Sequence, residues 1–154
     1  MRILGALTAG AVLMGGATAL AADRPAPDAD LAYHGHAVLH AGRADVRLAA
    51  RNHGPSPVGD ATVRLRWSEP LADRQSLPRR CARSDAWTVL CGTGALAADG
   101  LDEVIRLRVR LEGRPAEVLL EIGTAWAAGG AVDRNHRNDH QHVLVLDTGD
   151  TYRF

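Results

Sequence analysis

Lysine is absent from this 154-residue chain: all 18 basic side chains are arginine, and they are balanced by 18 acidic ones. Schiff-base and other lysine chemistry is thereby excluded. Zero net charge also removes any bulk attraction to nucleic acid, so a partner must be recognised by local patches. Aromatic residues make up only 4%, which leaves Val, Leu, Ile and Ala to build a core around three Trp. Only four serines occur (Ser56, Ser68, Ser76, Ser84), none within Gly-x-Ser-x-Gly. No phosphate loop or dinucleotide fingerprint is present. The neighbouring carboxylates Asp102 and Glu103 face opposite ways on any strand, unsuited to shared acid and base work. The expectation is a protein that is not an enzyme.

The first 22 residues read as a cleavable export signal. Arg2 supplies the positive start, Ile3 to Leu20 carries no charge, and Ala19-Leu20-Ala21 fits the small-x-small rule of signal peptidase. The competing reading is a retained membrane anchor, disfavoured by the Gly-broken, weakly apolar pattern. With no cysteine in the first 80 positions there is no lipobox, and Asp147 to Phe154 is too polar for a stop-transfer helix. The expected organisation is signal peptide 1–22, linker 23–30, one domain over 31–147 and a C-terminal tail 148–154. The mature chain is expected to be secreted, free of the membrane.

Only Cys81 and Cys91 exist. Two thiols cannot by themselves build a tetrahedral zinc site, and their spacing is not the C-x-x-C of redox enzymes. An even pair in an exported chain predicts a disulfide.

Period-two alternation recurs along the chain, and helical spacing is nowhere sustained. Val46, Leu48 and Ala50 oppose Arg47 and Arg51; Val63, Leu65 and Trp67 oppose Arg64 and Arg66. Ile105, Leu107, Val109 and Leu111 oppose Arg106, Arg108 and Arg110, and Val118, Leu120 and Ile122 oppose Glu117 and Glu121. Val143 to Leu146 reads as a last apolar strand. Arg64 and Arg66 are expected to meet Glu117 and Glu121 across strands. Turns are marked at Asn52 to Pro57, Asp99-Gly100, Glu112 to Pro115 and Gly129-Gly130. In the first of these, Gly54 is expected to supply a positive φ and Asn52 to bond its own backbone. About seven short strands predict an all-β, two-sheet sandwich of immunoglobulin-like form.

The order Asn52-His53-Gly54-Pro55-Ser56-Pro57, an alternating strand, Cys81, then Cys91 with Gly-x-Gly-x-Leu (Gly92 to Leu96), resembles the bacterial surface repeat known as domain of unknown function 11. Asp133-x-Asn135-x-x-Asn138-Asp139 before the final strand is similar to that family's Asp/Asn-rich ending. The resemblance covers Leu31 to about Leu146. It implies an immunoglobulin-like β-sandwich in a secreted or wall-associated protein and brings no catalytic residues. This chain departs from the pattern in having one copy and no visible wall anchor.

Six of the seven histidines fall into two clusters, His34-x-His36-x-x-x-His40 and His136-x-x-x-His140-x-His142. His34 and His36 share a strand face, as do His140 and His142. In an immunoglobulin-like sandwich the first and last strands commonly lie side by side, so His34, His36, His140 and His142 are candidate ligands for Zn or Cu(II). The plainer reading is exposed histidine on edge strands. Asp133, Asn135, Asn138 and Asp139 partly imitate a calcium loop but lack its sixth-position Gly and twelfth-position Glu, so capping of a long loop is the competing use.

Arginine supplies the other candidate patch. If their two strands pair, Arg47, Arg51, Arg106, Arg108 and Arg110 line one outer face able to attract a phosphate or carboxylate polymer of the bacterial wall. Asp45 and Glu103 lie nearby and weaken it. The alternative is a sheet face kept soluble by charge. At the level of function, a non-catalytic secreted module that binds wall polymer or another extracellular protein stands beside a secreted metal-binding protein.

Overall fold

The computed structural model describes residues 26–100, 103–127 and 130–154. The expected export signal lies outside the described residues. So does Asp102.

The described residues form eleven strands: β1 (Asp28–Ala29), β2 (Leu31–His40), β3 (Arg43–Asn52), β4 (Ala61–Trp67), β5 (Cys81–Arg83), β6 (Thr88–Gly92), β7 (Glu103–Arg110), β8 (Glu117–Ala127), β9 (Val132–Asp133), β10 (His140–Leu146) and β11 (Tyr152–Arg153). One sheet has the order β11-β2-β3-β7 and the other β10-β8-β4-β6-β5, while β1 and β9 form a short parallel pair. Seven of the strands are five residues or longer. The first, second and fifth of those lie in one sheet and the third, fourth, sixth and seventh in the other. That division is the immunoglobulin-like sandwich with its fourth strand carried on the second sheet.

Alternation sets which side chains enter the space between the sheets. Val46, Leu48, Ile105, Leu107 and Val109 from one sheet meet Val63, Leu65, Trp67, Val118, Leu120 and Ile122 from the other, all buried. Arginines fill the intervening positions because a guanidinium cannot enter an apolar core unpaired. β2 turns into β3 through Ala41 and Gly42, whose φ values of 51° and 74° satisfy the requirement of a type I′ hairpin for two positive angles.

Five expectations need correction. Of the three Trp expected in the core, Trp67 is buried, whereas Trp87 and Trp126 are exposed. Arg66 lies opposite Glu121 and pairs with it at 3.8 Å, but Arg64 lies opposite Gly123 and Glu117 opposite Leu146, because the register carries Glu117 to β10. Gly54 has no positive φ; a Cβ there would fall 2.5 Å from the Cα of Ala29, so close backbone approach is what requires glycine. Asn52 does bond its own backbone, accepting from the Gly54 N–H and donating to the Ser56 carbonyl. The stretch expected as linker contains β1, and Ala29 in it is buried. The stretch expected as a tail contains β11, and Phe154 exchanges two backbone hydrogen bonds with Gly35.

Tyr33 is fully buried, with its hydroxyl 2.7 Å from Thr124 Oγ1. Burial pushes its phenol up to about 12, with lesser contributions of opposite sign from the Thr124 hydrogen bond and the carboxylates of Asp139 and Asp133. Folding therefore favours the neutral phenol. The associated stability is intact below pH 10 and is lost as pH rises towards about 12, a loss on the order of 2–3 kcal/mol. With no lysine to titrate in that window, the signal is clean. Alkaline unfolding midpoints should fall steeply for the wild type and more gently for Tyr33→Phe; parallel curves would contradict the assignment.

Candidate functional site

Pairing of β3 with β7 brings the predicted arginines together. Arg47 lies directly opposite Arg106, Arg43 opposite Arg110, and Asp45 opposite Arg108. β2 and β11 extend the first of these rows, since His36 lies opposite Arg47 and Arg153 opposite His36. The result is a line Arg153, His36, Arg47, Arg106 running across four neighbouring strands. Strands are about 4.8 Å apart, so the line spans roughly 14 Å.

The row contains no carboxylate, and among the described residues no acidic side chain pairs with Arg47, Arg106 or Arg153. Asp45 is taken up by Arg108 on the next row. Arg51, at the far end of β3, faces Asp99 at 3.6 Å. Two open depressions lie on this face. One, about 310 Å³, is lined by His36, Asp45, Arg47, Arg106 and Arg108; the other, about 430 Å³, by Arg43, Gln75, Arg108 and Arg110. Gln75 also accepts from the Arg110 N–H and donates to its carbonyl, covering part of the free edge of β7.

Directly opposed like charges in a sheet are destabilising by up to about 1 kcal/mol. This fold holds two such pairs, Arg47 with Arg106 and Arg43 with Arg110, on either side of the Asp45–Arg108 ion pair. An anion laid over them would turn that repulsion into attraction. Arg43 shares the parity of Arg47 and was legible in the alternation, whereas Arg153 sits in a terminal stretch with no periodic pattern.

The histidines are regrouped. His34 and His36 stand on β2 in the arginine-bearing sheet, while His140 and His142 stand on β10 in the other. The two strands do meet at their edges, where the Gln141 side-chain amide of β10 donates to the Tyr33 carbonyl of β2, and the Tyr33 N–H donates to the Asn138 carbonyl in the turn before β10. Among the described residues, however, the set of metal-type ligand atoms that comes together is His136, Asp139 and His140, without His34, His36 or His142. Alternation fixed which histidines share a face but not which sheet each strand joins.

Of the four groups proposed for calcium, Asp133 and Asp139 have both oxygens engaged, while Asn135 and Asn138 are tied to the loop through their amide nitrogens and the buried Asn138 Oδ1 has no hydrogen-bond partner. Asp133 accepts from the backbone N–H groups of Leu31 and Asn135, and Asn135 and Asn138 both donate to Asp30. Asp139 faces the two imidazoles. Cys81 and Cys91 are bridged, joining directly opposed residues of β5 and β6 with their Cα atoms 4.1 Å apart.

No family model matches the chain, and no curated protein matches it in sequence.

Proposed function

We propose that this chain is a secreted, non-catalytic β-sandwich module that binds an anionic polymer of the bacterial cell surface on the outer face of the β11-β2-β3-β7 sheet. One observation carries the reading: Arg153, His36, Arg47 and Arg106 form an acid-free row across four strands. Cations in a row perpendicular to the strands suit an extended chain of phosphates or carboxylates better than a single small anion. Asp45 breaks the neighbouring row and pairs with Arg108, so recognition concentrates on the first. The Cys81–Cys91 disulfide and the expected export signal support a place outside the cell.

The test is equilibrium binding of the purified chain to poly(glycerol phosphate), with an uncharged glucan as control. Saturable binding to the phosphate polymer is expected, weakening by about tenfold between roughly 0.05 and 0.5 M salt as the Debye length shrinks. Equal binding to the glucan, or binding indifferent to salt, would contradict the proposal.

A further inference from the structure

We infer that the turn His136-Arg137-Asn138-Asp139-His140 holds one divalent transition-metal ion of the zinc class, a site independent of the arginine face. The turn leading into β10 places positions i, i+3 and i+4 side by side, and the ligand atoms of His136, Asp139 and His140 lie within 4.8 Å of one another. Asp139 is 2% exposed, and its two oxygens face the two imidazoles: His140 Nδ1 lies 2.5 Å from one and His136 Nδ1 3.5 Å from the other. A buried carboxylate shared by two rings is an N₂O donor set suited to zinc, with water completing the tetrahedron.

Independent features keep that geometry in place. The backbone opposite His140 is Gly123, where a Cβ would fall 2.9 Å from the ring's Cδ2 and 3.1 Å from its Nε2. With no side chain there, the imidazole lies over the strand with its Nδ1 turned to Asp139. The turn itself is pinned at both ends. Asp133 accepts from the Asn135 N–H, Asp30 accepts from the Asn135 and Asn138 amides, and the Asn138 carbonyl accepts from the Tyr33 N–H. Little ordering is left for the ion to impose. Both histidines are exposed, so an ion enters directly from solvent. A metal–nitrogen bond of about 2.0–2.1 Å requires the ring and carboxylate to part slightly. The ion then replaces the proton held between them, and a neutral ring carries its proton on Nε2 instead.

The test is a Zn²⁺ titration of the full chain, purified without a histidine tag and followed by calorimetry, with Co²⁺ absorption as a second readout. One ion per chain is expected. His136→Gln and His140→Gln should each weaken binding at least about tenfold, while His34→Gln/His36→Gln leaves it unchanged. His136 is exposed, so its replacement leaves the fold intact, which a thermal melt checks. No saturable binding, unchanged affinity in His136→Gln, or loss of binding in His34→Gln/His36→Gln would overturn the inference.

Discussion

Arg47→Glu is expected to bind poly(glycerol phosphate) at least about thirtyfold more weakly than the wild type while unfolding at a slightly higher temperature. The loss of affinity follows from position. Arg47 lies between His36 and Arg106 in the cationic row. A hydrogen bond to a charged group contributes about 1.5–3 kcal/mol, or roughly ten- to a hundredfold in affinity, and the new carboxylate adds repulsion. The gain in stability follows from the register. Glu at position 47 turns an opposed pair of like charges with Arg106 into an attractive one, a change of about 0.5–1 kcal/mol. Salt separates the two effects. Raising ionic strength should stabilise the wild type by screening the Arg47–Arg106 repulsion and should slightly destabilise Arg47→Glu. Arg47→Thr, which removes charge without reversing it, is expected to fall between them. A face that serves only solubility would show the same gain in stability with polymer binding unaffected.

Removing the disulfide is expected to have the largest effect on the fold. Cys81→Ala/Cys91→Ala should lower stability by about 3 kcal/mol, the loop-closure entropy of a ten-residue separation, and the melting temperature by roughly 10 °C. The loss arises mainly in the unfolded chain. β5 retains other attachments, because the Arg83 guanidinium donates to the carbonyls of Leu71 and Ala72, and the Gly92 N–H donates to the Arg80 carbonyl. Amide protection in β5 should therefore persist in the variant under native conditions while global stability falls. A variant that loses β5 protection but keeps its melting temperature would show that the bridge acts locally instead.

The layers of the sandwich were legible in the sequence because burial between two sheets imposes period two. Val46 with Leu48, Val63 with Leu65 and Trp67, and Ile105 with Leu107 and Val109 all enter the core as their alternation requires. What alternation does not carry is partnership. The expected meeting of Arg64 with Glu117 failed because β8 presents Gly123 to Arg64 and Glu117 to β10, a matter of register set by long-range pairing. The same limit applies to the sites. The alternation of Arg47, Arg106, Arg108 and Arg110 is readable in the sequence, and the β3–β7 register puts Arg47 opposite Arg106 and Asp45 opposite Arg108, but Arg153 arrives from a segment with no periodic signal. His136 joins Asp139 and His140 through turn geometry, which hydrophobic periodicity does not encode.

The most direct measurement is an NMR titration of the ¹⁵N-labelled chain with a short poly(glycerol phosphate), following arginine side-chain and backbone resonances together. The account predicts the largest shifts at Arg47, Arg106, Arg153 and His36, smaller ones at Arg108, and none at Arg64 and Arg66 on the opposite sheet. Shifts at Arg64 and Arg66 equal to those at Arg47 and Arg106, or no saturable shift anywhere, would contradict it.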